Sequence, residues 1–190
     1  MSAIGYRVAA ALATVLLAGA GLTEAPPAQE PSDYRMDDYR SPVPATLRGA
    51  TVLSTAEAQA YWEKHDAVFI DVLPQPPRPV GLPASMIWRP KPRDDVPGSI
   101  WLPDTGYGAL APVMAQYFEH GLEQAAGGNR DRTLVFYCLA NCWMSWNAAK
   151  RAIALGYTHV AWYPDGTDGW TVHHLPLEAR TPKPRPQAVE

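Results

Sequence analysis

Cysteine is scarce in this chain: its 190 residues hold two, Cys138 and Cys142. No His or further Cys stands at a matching spacing, so no metal site is expected. Haem attachment requires Cys-x-x-Cys-His, whereas here three residues part the cysteines and Trp143 follows. Excess charge is also missing. The formal net charge is -3, charged residues make up 18% of the chain, and there is no run of Lys or Arg. This excludes the electrostatic footprint of a nucleic-acid or acidic-membrane binder. Beyond the N-terminus, no stretch approaches the roughly 18 apolar residues of a membrane span. No internal repeat is visible.

The length fits one domain, and a domain of about 150 residues hides roughly 70% of its unfolded surface. At 47% hydrophobic, the chain can build a sizeable core. Its first residues read as a processing signal. Arg7 is a short basic region, residues 8–17 are apolar, and Ala18-Gly19-Ala20 supplies the small residues of a cleavage site. The alternative is an uncleaved anchor. No Cys follows the site, which excludes a lipid anchor there. Cleavage would remove residues 1–20 with Arg7, taking the charge from -3 to -4. The expected location is then the periplasm, with no stable membrane span. In such an oxidising compartment a close cysteine pair is expected to be bridged unless something keeps it reduced. Residues 21–46 read as a Pro- and Asp-rich linker that becomes an ordered arm near Tyr39 and Arg40. Residues 47–178 form the expected domain, and 179–190 a Pro-rich tail.

Strand and helix signals alternate through that domain. Residues 50–53 read as a short strand. Ser54 and Glu57 form a capping box for a helix ending near His65. Residues 68–72 are a buried-type strand carrying Asp71. A helix is predicted over 109–124, stopped by Gly127-Gly128-Asn129. Residues 133–137 give the clearest buried strand. A helix from about Ser145 to Leu155 ends at Gly156, and 159–163 form a last strand. Such alternation predicts an α/β fold with a mostly parallel sheet, helices on both faces, and ligands beyond the carboxyl ends of the strands. Asp71 and Cys138 both fall at strand ends, on one expected rim. Residues 73–96 hold seven prolines with Met86 and Trp88. They read as a lid or as a surface insertion packed by Trp88.

The chemistry is expected at Cys138, in the loop Leu139, Ala140, Asn141, Cys142, Trp143, Met144 and Ser145. A thiol between a buried strand and a helix N-terminus meets backbone N–H groups and the positive end of the helix dipole, which favour thiolate. The alternative is a buried inert thiol. Cys142 is close enough in sequence to bridge Cys138. A loop this short gains only about 2 kcal/mol from the cross-link, so the bridge reads as labile, or else as a static closure. Trp143, Trp146, Trp162 and Trp170 are either core or an aromatic cleft for a partner or a planar quinone. His173 and His174 read as a surface pair, and His65, His120 and His159 as helix-end or loop residues.

Several of these segments together resemble the rhodanese-like family. They are Phe69-Ile70-Asp71-Val72; Val96-Pro97-Gly98-Ser99-Ile100-Trp101, similar to the family's Pro-Gly-Ala segment; the Cys138 loop; and Asp165-Gly166-Thr167-Asp168-Gly169-Trp170, similar to its Gly-Gly-x-x-x-Trp segment. The resemblance implies a single rhodanese-like domain with the catalytic Cys at Cys138 and supporting roles for Asp71 and Trp170. Cys138-Leu139-Ala140-Asn141-Cys142-Trp143 and the arm from Tyr34 to Pro44 further resemble an exported subgroup. That subgroup bears a Cys-x-x-x-Cys-Trp motif and is associated with pyrroloquinoline quinone (PQQ)-dependent alcohol catabolism. This implies an indirect link to PQQ enzymes, a quinoprotein dehydrogenase as partner, and a sulfur-containing small molecule or thiol protein as reactant. Unlike ordinary sulfurtransferases, the loop lacks basic residues, so thiosulfate would rest on backbone N–H groups alone. Three functions stay open: sulfur transfer with Cys142 resolving, a thiol–disulfide relay, and a non-catalytic binding module with a static bridge.

Overall fold

A computed structural model describes residues 28–186 except 77, 84, 90 and 91. The expected signal segment lies outside the described residues. In chain order the elements are β1 (Thr51–Val52), α1 (Thr55–Lys64), β2 (Val68–Asp71), β3 (Arg93–Asp95), β4 (Ile100–Trp101), α2 (Pro112–Ala126), β5 (Leu134–Tyr137), α3 (Trp143–Ala154), β6 (Val160–Trp162), α4 (Gly166–Val172) and β7 (Glu178–Arg180). Five strands make one sheet in the order β1-β6-β5-β2-β4, with every pairing parallel. The remaining two, β3 and β7, pair antiparallel beside it.

Side chains alternate across a strand, and this sorts the core into two faces. Leu134, Phe136 and Cys138 pack with Phe118 and Leu122 of α2 and with Trp146 and Ala149 of α3. Val135 and Tyr137 point the other way, into a cluster with Ala58 of α1 and Trp170 of α4. Helices thus cover both faces, and the rhodanese-like α/β expectation holds. The capping box is present: Ser54 accepts from the Glu57 amide while the Glu57 carboxylate accepts from Ser54. Pro112 opens α2, where its missing N–H costs nothing. Gly127 closes it in the left-handed region at φ 61°.

Four expectations need correction. The helix after the cysteine loop begins at Trp143, not near Ser145, because Cys142 is its N-cap and the Ser145 hydroxyl turns back to the Cys142 carbonyl at 3.0 Å. Residues 73–96 are not uniformly irregular, since their last residues form β3. β6 is not the last strand, because β7 follows it and spans the expected boundary between domain and tail. The N-terminal arm is packed well before Tyr39. Glu30 already accepts from the Thr46 hydroxyl and the Arg48 amide. No helix among the described residues is long and apolar enough to cross a membrane.

Candidate active site

Cys138 lies one residue beyond β5, and Cys142 caps α3. A disulfide joins them, with Cα atoms 6.3 Å apart. Both are buried, Cys138 at 0% and Cys142 at 1% exposure, so no open thiol faces solvent. Between them Leu139 and Ala140 are half-buried and Asn141 is exposed in the left-handed region at φ 53°. Asn tolerates that region better than most residues, which lets so short a loop turn back.

The loop is held from two sides. On one side is α4. Leu139 bridges to Gly166, and the Thr167 amide donates to the Cys138 carbonyl at 3.1 Å. A Cβ on Gly166 would lie 2.4 Å from the Cys138 carbonyl oxygen, so this approach requires glycine. The Ala140 amide donates to the exposed carboxylate of Asp168 at 3.0 Å. On the other side is the arm. The Tyr39 carbonyl accepts the Trp143 amide at 2.9 Å, and Trp143 Nε1 donates to Ser41 Oγ at 3.0 Å. Arg35 sits over the Trp143 ring at 5.2 Å. Buried Asn147 clamps the Arg35 peptide, accepting its N–H and donating to its carbonyl, both at 2.9 Å. Two amides expected to point into an anion cradle are therefore already engaged, by Asp168 and by Tyr39.

Asp71 shares the rim with Cys138, since Asp71 pairs in register with Tyr137. It reaches the loop through Arg93. Asp71 pairs with Arg93 Nε and accepts the Leu73 amide, and the same guanidinium donates to the Cys138 carbonyl at 3.1 Å and to Thr167 Oγ1 at 3.2 Å. Asp95 completes the cluster and accepts from the Tyr137 hydroxyl. Burial pushes the carboxyl of Asp71 up, against the pull of Arg93. Burial and the neighbouring Asp71 push that of Asp95 up to about 8. Burial disfavours the Arg93 charge, but Asp71 and Asp95 outweigh it and raise its pKa. The Tyr137 phenol is pushed well above its ordinary value by burial and then by Asp95. Two acids facing one arginine cannot both ionise cheaply, so the pair shares a proton. Asp95 Oδ2 is buried and accepts no hydrogen bond.

Of the residues expected at the site, Leu139 to Ser145 flank the sulfurs. Met144 and Ser145 are buried in the first turn of α3, where Ser145 Oγ also accepts from Trp162 Nε1 at 3.0 Å. Trp170 is not near them. It is core on the opposite face, edge-on to Phe69, Trp62 and Tyr163. The four candidate tryptophans are all buried, and each indole N–H meets an acceptor, so they form core and not an open quinone cleft. Trp88 is only half-buried. Its loop is tied by Arg78, which donates to the carbonyls of Leu82, Pro83 and Met86, while Val80 and Ile87 stand exposed. A depression of about 350 Å³ beside Pro74, Pro92 and Trp101 reaches Arg93 but has neither cysteine in its lining. Among the described residues no cluster of His, Cys, Asp or Glu could hold a metal ion. Sequence patterns alone do not single out Arg93, Asp95 or Asn147. The run Arg93-Asp94-Asp95 closing a Pro-rich loop was the one available signal, and Asn147 gave none.

The chain belongs to the rhodanese-like domain family: the family model matches residues 54–173, more than half of it. A search of curated proteins finds no match. Among solved structures it is similar to an uncharacterised protein from Saccharomyces cerevisiae, at 23% identity and TM-score 0.40 over 65% of this chain and 92% of the other. It is similar to a polysulfide-sulfur transferase homodimer from Wolinella succinogenes, at 19% and 0.43 over 70% and 81%. It is also similar to a persulfide form of EanB with ergothioneine, at 19% and 0.49 over 75% of this chain and 34% of the other.

Proposed function

We propose that this protein is an exported, periplasmic sulfur-transfer protein in which Cys138 carries sulfur and Cys142 resolves it. The observation behind this reading is the position of Cys138: beyond a central parallel strand, where the family resemblance of its loop implies the catalytic Cys, with Cys142 in bonding reach. In the reduced form the Cys138 thiolate attacks the sulfane sulfur of a donor. The donor's S–S bond breaks, and with thiosulfate the products are a Cys138 persulfide and sulfite. The Cys142 thiolate then attacks Cys138 Sγ, forms the disulfide and expels hydrosulfide. The Cys-x-x-x-Cys-Trp motif and the arm support a place beside quinoprotein dehydrogenases of PQQ-dependent alcohol catabolism, with no cofactor held by this chain itself. No part of the mechanism uses Trp170.

The test is intact mass of the mature protein purified without reductant, then reduced and incubated with thiosulfate, alongside Cys142→Ser. One sulfur gained at Cys138 supports the reading. A protein that only gains and loses two hydrogens, with no sulfur at any stage, replaces it with a thiol–disulfide relay. The bridge between Cys138 and Cys142 is the observation that favours that second reading.

A further inference from the structure

The two sulfurs of the bridge are not equivalent. Cys142 is the N-cap of a 12-residue helix, where the helix dipole stabilises a departing thiolate. Cys138 sits at a strand end. Two residues on in the loop, the Ala140 amide is bound to the Asp168 carboxylate. The Arg93 guanidinium behind its carbonyl is matched by Asp71. In thiol–disulfide exchange the better-stabilised thiolate leaves, so attack is directed to the other sulfur, Cys138.

Access selects for size and charge. Neither sulfur is exposed, and the arm lies beside their loop, pinned by Asn147 on Arg35 and by the Trp143 amide on Tyr39. A tripeptide or protein thiol needs more of this packing to open than a single heavy atom does. The loop offers no basic side chain to a dianion, and the Asp168 carboxylate sits on one of its amides.

Resting on the reading above that Cys138 carries sulfur, we infer that the oxidised protein accepts sulfur from inorganic sulfide. Excess hydrosulfide runs the resolving step backwards: it attacks Cys138 Sγ, a new S–S bond forms, and the Cys138–Cys142 bond breaks with its electron pair leaving on Cys142 Sγ. The sulfide sulfur is oxidised by two electrons to the sulfane level, and the disulfide is reduced by the same two. The products are a Cys138 persulfide and a Cys142 thiolate, so the resting bridge is itself the oxidant. For turnover, an acceptor thiol removes the outer sulfur and leaves the Cys138 thiolate, and a disulfide of the thiol–disulfide exchange class restores the bridge.

The experiment treats the oxidised mature protein with sodium hydrosulfide, quenches with an alkylating agent and maps the products by mass. The expected result is one retained sulfur, an alkylated persulfide at Cys138 and an alkylated thiol at Cys142. Cys142→Ala, which has no bridge, gains no sulfur from hydrosulfide. Reduced glutathione opens the wild-type bridge more slowly than hydrosulfide, and Asn147→Ala narrows that difference. A persulfide at Cys142, reduction with no sulfur retained, or no reaction overturns the inference. Thiosulfate with the reduced protein is run in parallel. Sulfur gained there but not from hydrosulfide removes this inference alone, whereas no sulfur on Cys138 by either route removes the proposed function as well.

Discussion

Tyr137 and Cys138 are neighbours in sequence, yet they belong to different halves of the molecule. Strand alternation sends Cys138 toward α2 and α3, into a dry core that includes Phe136 and Trp146. It sends Tyr137 toward α1 and α4, where its hydroxyl meets Asp95 beside Arg93 and Asp71. One face carries the sulfur pair and the other a titrating cluster. Arg93 links the two through the Cys138 carbonyl. The contrast shows how a small domain separates functions: redox chemistry keeps apolar walls, and loop placement is delegated to charges across the sheet.

The sharpest way to break this division is to unbalance the polar face. Arg93→Ala leaves Asp71 buried without its partner and is expected to cost about 3–5 kcal/mol. Urea unfolding measures it, and hydrogen exchange at Ala140 shows whether the cysteine loop loosens with it. The titration of that face comes next. Asp95 holds its proton in the native state up to about 8 but releases it near 3.8 when unfolded. Between those values the native state binds the extra proton, so stability falls as pH rises, by about 1.4 kcal/mol per pH unit. Below the window and above it the contribution is flat. Asp95→Asn should remove the slope, which a series of urea midpoints across the window reads directly.

The sulfur face gives smaller effects. Asn147→Ala removes the double clamp on Arg35 and leaves buried polar groups without partners, at about 1–3 kcal/mol. Limited proteolysis within residues 28–41 should accelerate in this variant. Reducing the bridge should cost about 2 kcal/mol, because its loop is so short. Thermal unfolding with and without reductant checks this, and an unchanged pH slope in the reduced protein would confirm that the faces are independent. Smallest is Ser54→Ala, which removes the capping box of α1 at about 1 kcal/mol. Belonging to neither cluster, it calibrates the others.

The architecture was largely legible because its signals are local. A run of buried residues at 133–137, the Ser54/Glu57 pair and the glycines after α2 and α3 each report their own surroundings. Cys138 could be singled out in the same way, from a strand end, a loop and a helix start. What stayed hidden depends on residues distant in sequence. Arg93 bonds a carbonyl 45 residues away, and Asn147 binds a peptide 112 residues away. No spacing encodes such partners. Asp71 was recognisable as a strand-end acid, but its partner came from the end of a Pro-rich segment that shows no period. The four tryptophans were open to two readings because composition does not say which way an indole faces, and packing turned all of them inward.

The seat of the arm has a consequence for the order of assembly. The arm is among the first segments of the chain to be synthesised, whereas Asn147 and Trp143, which hold it, follow more than a hundred residues later. Contacts so distant in sequence form late, after loop closure has brought them together. The two sulfurs meet within a five-residue turn and need no such wait. Bridging of the pair therefore does not have to wait for the arm, which seats beside the loop once the far end of the chain is in place.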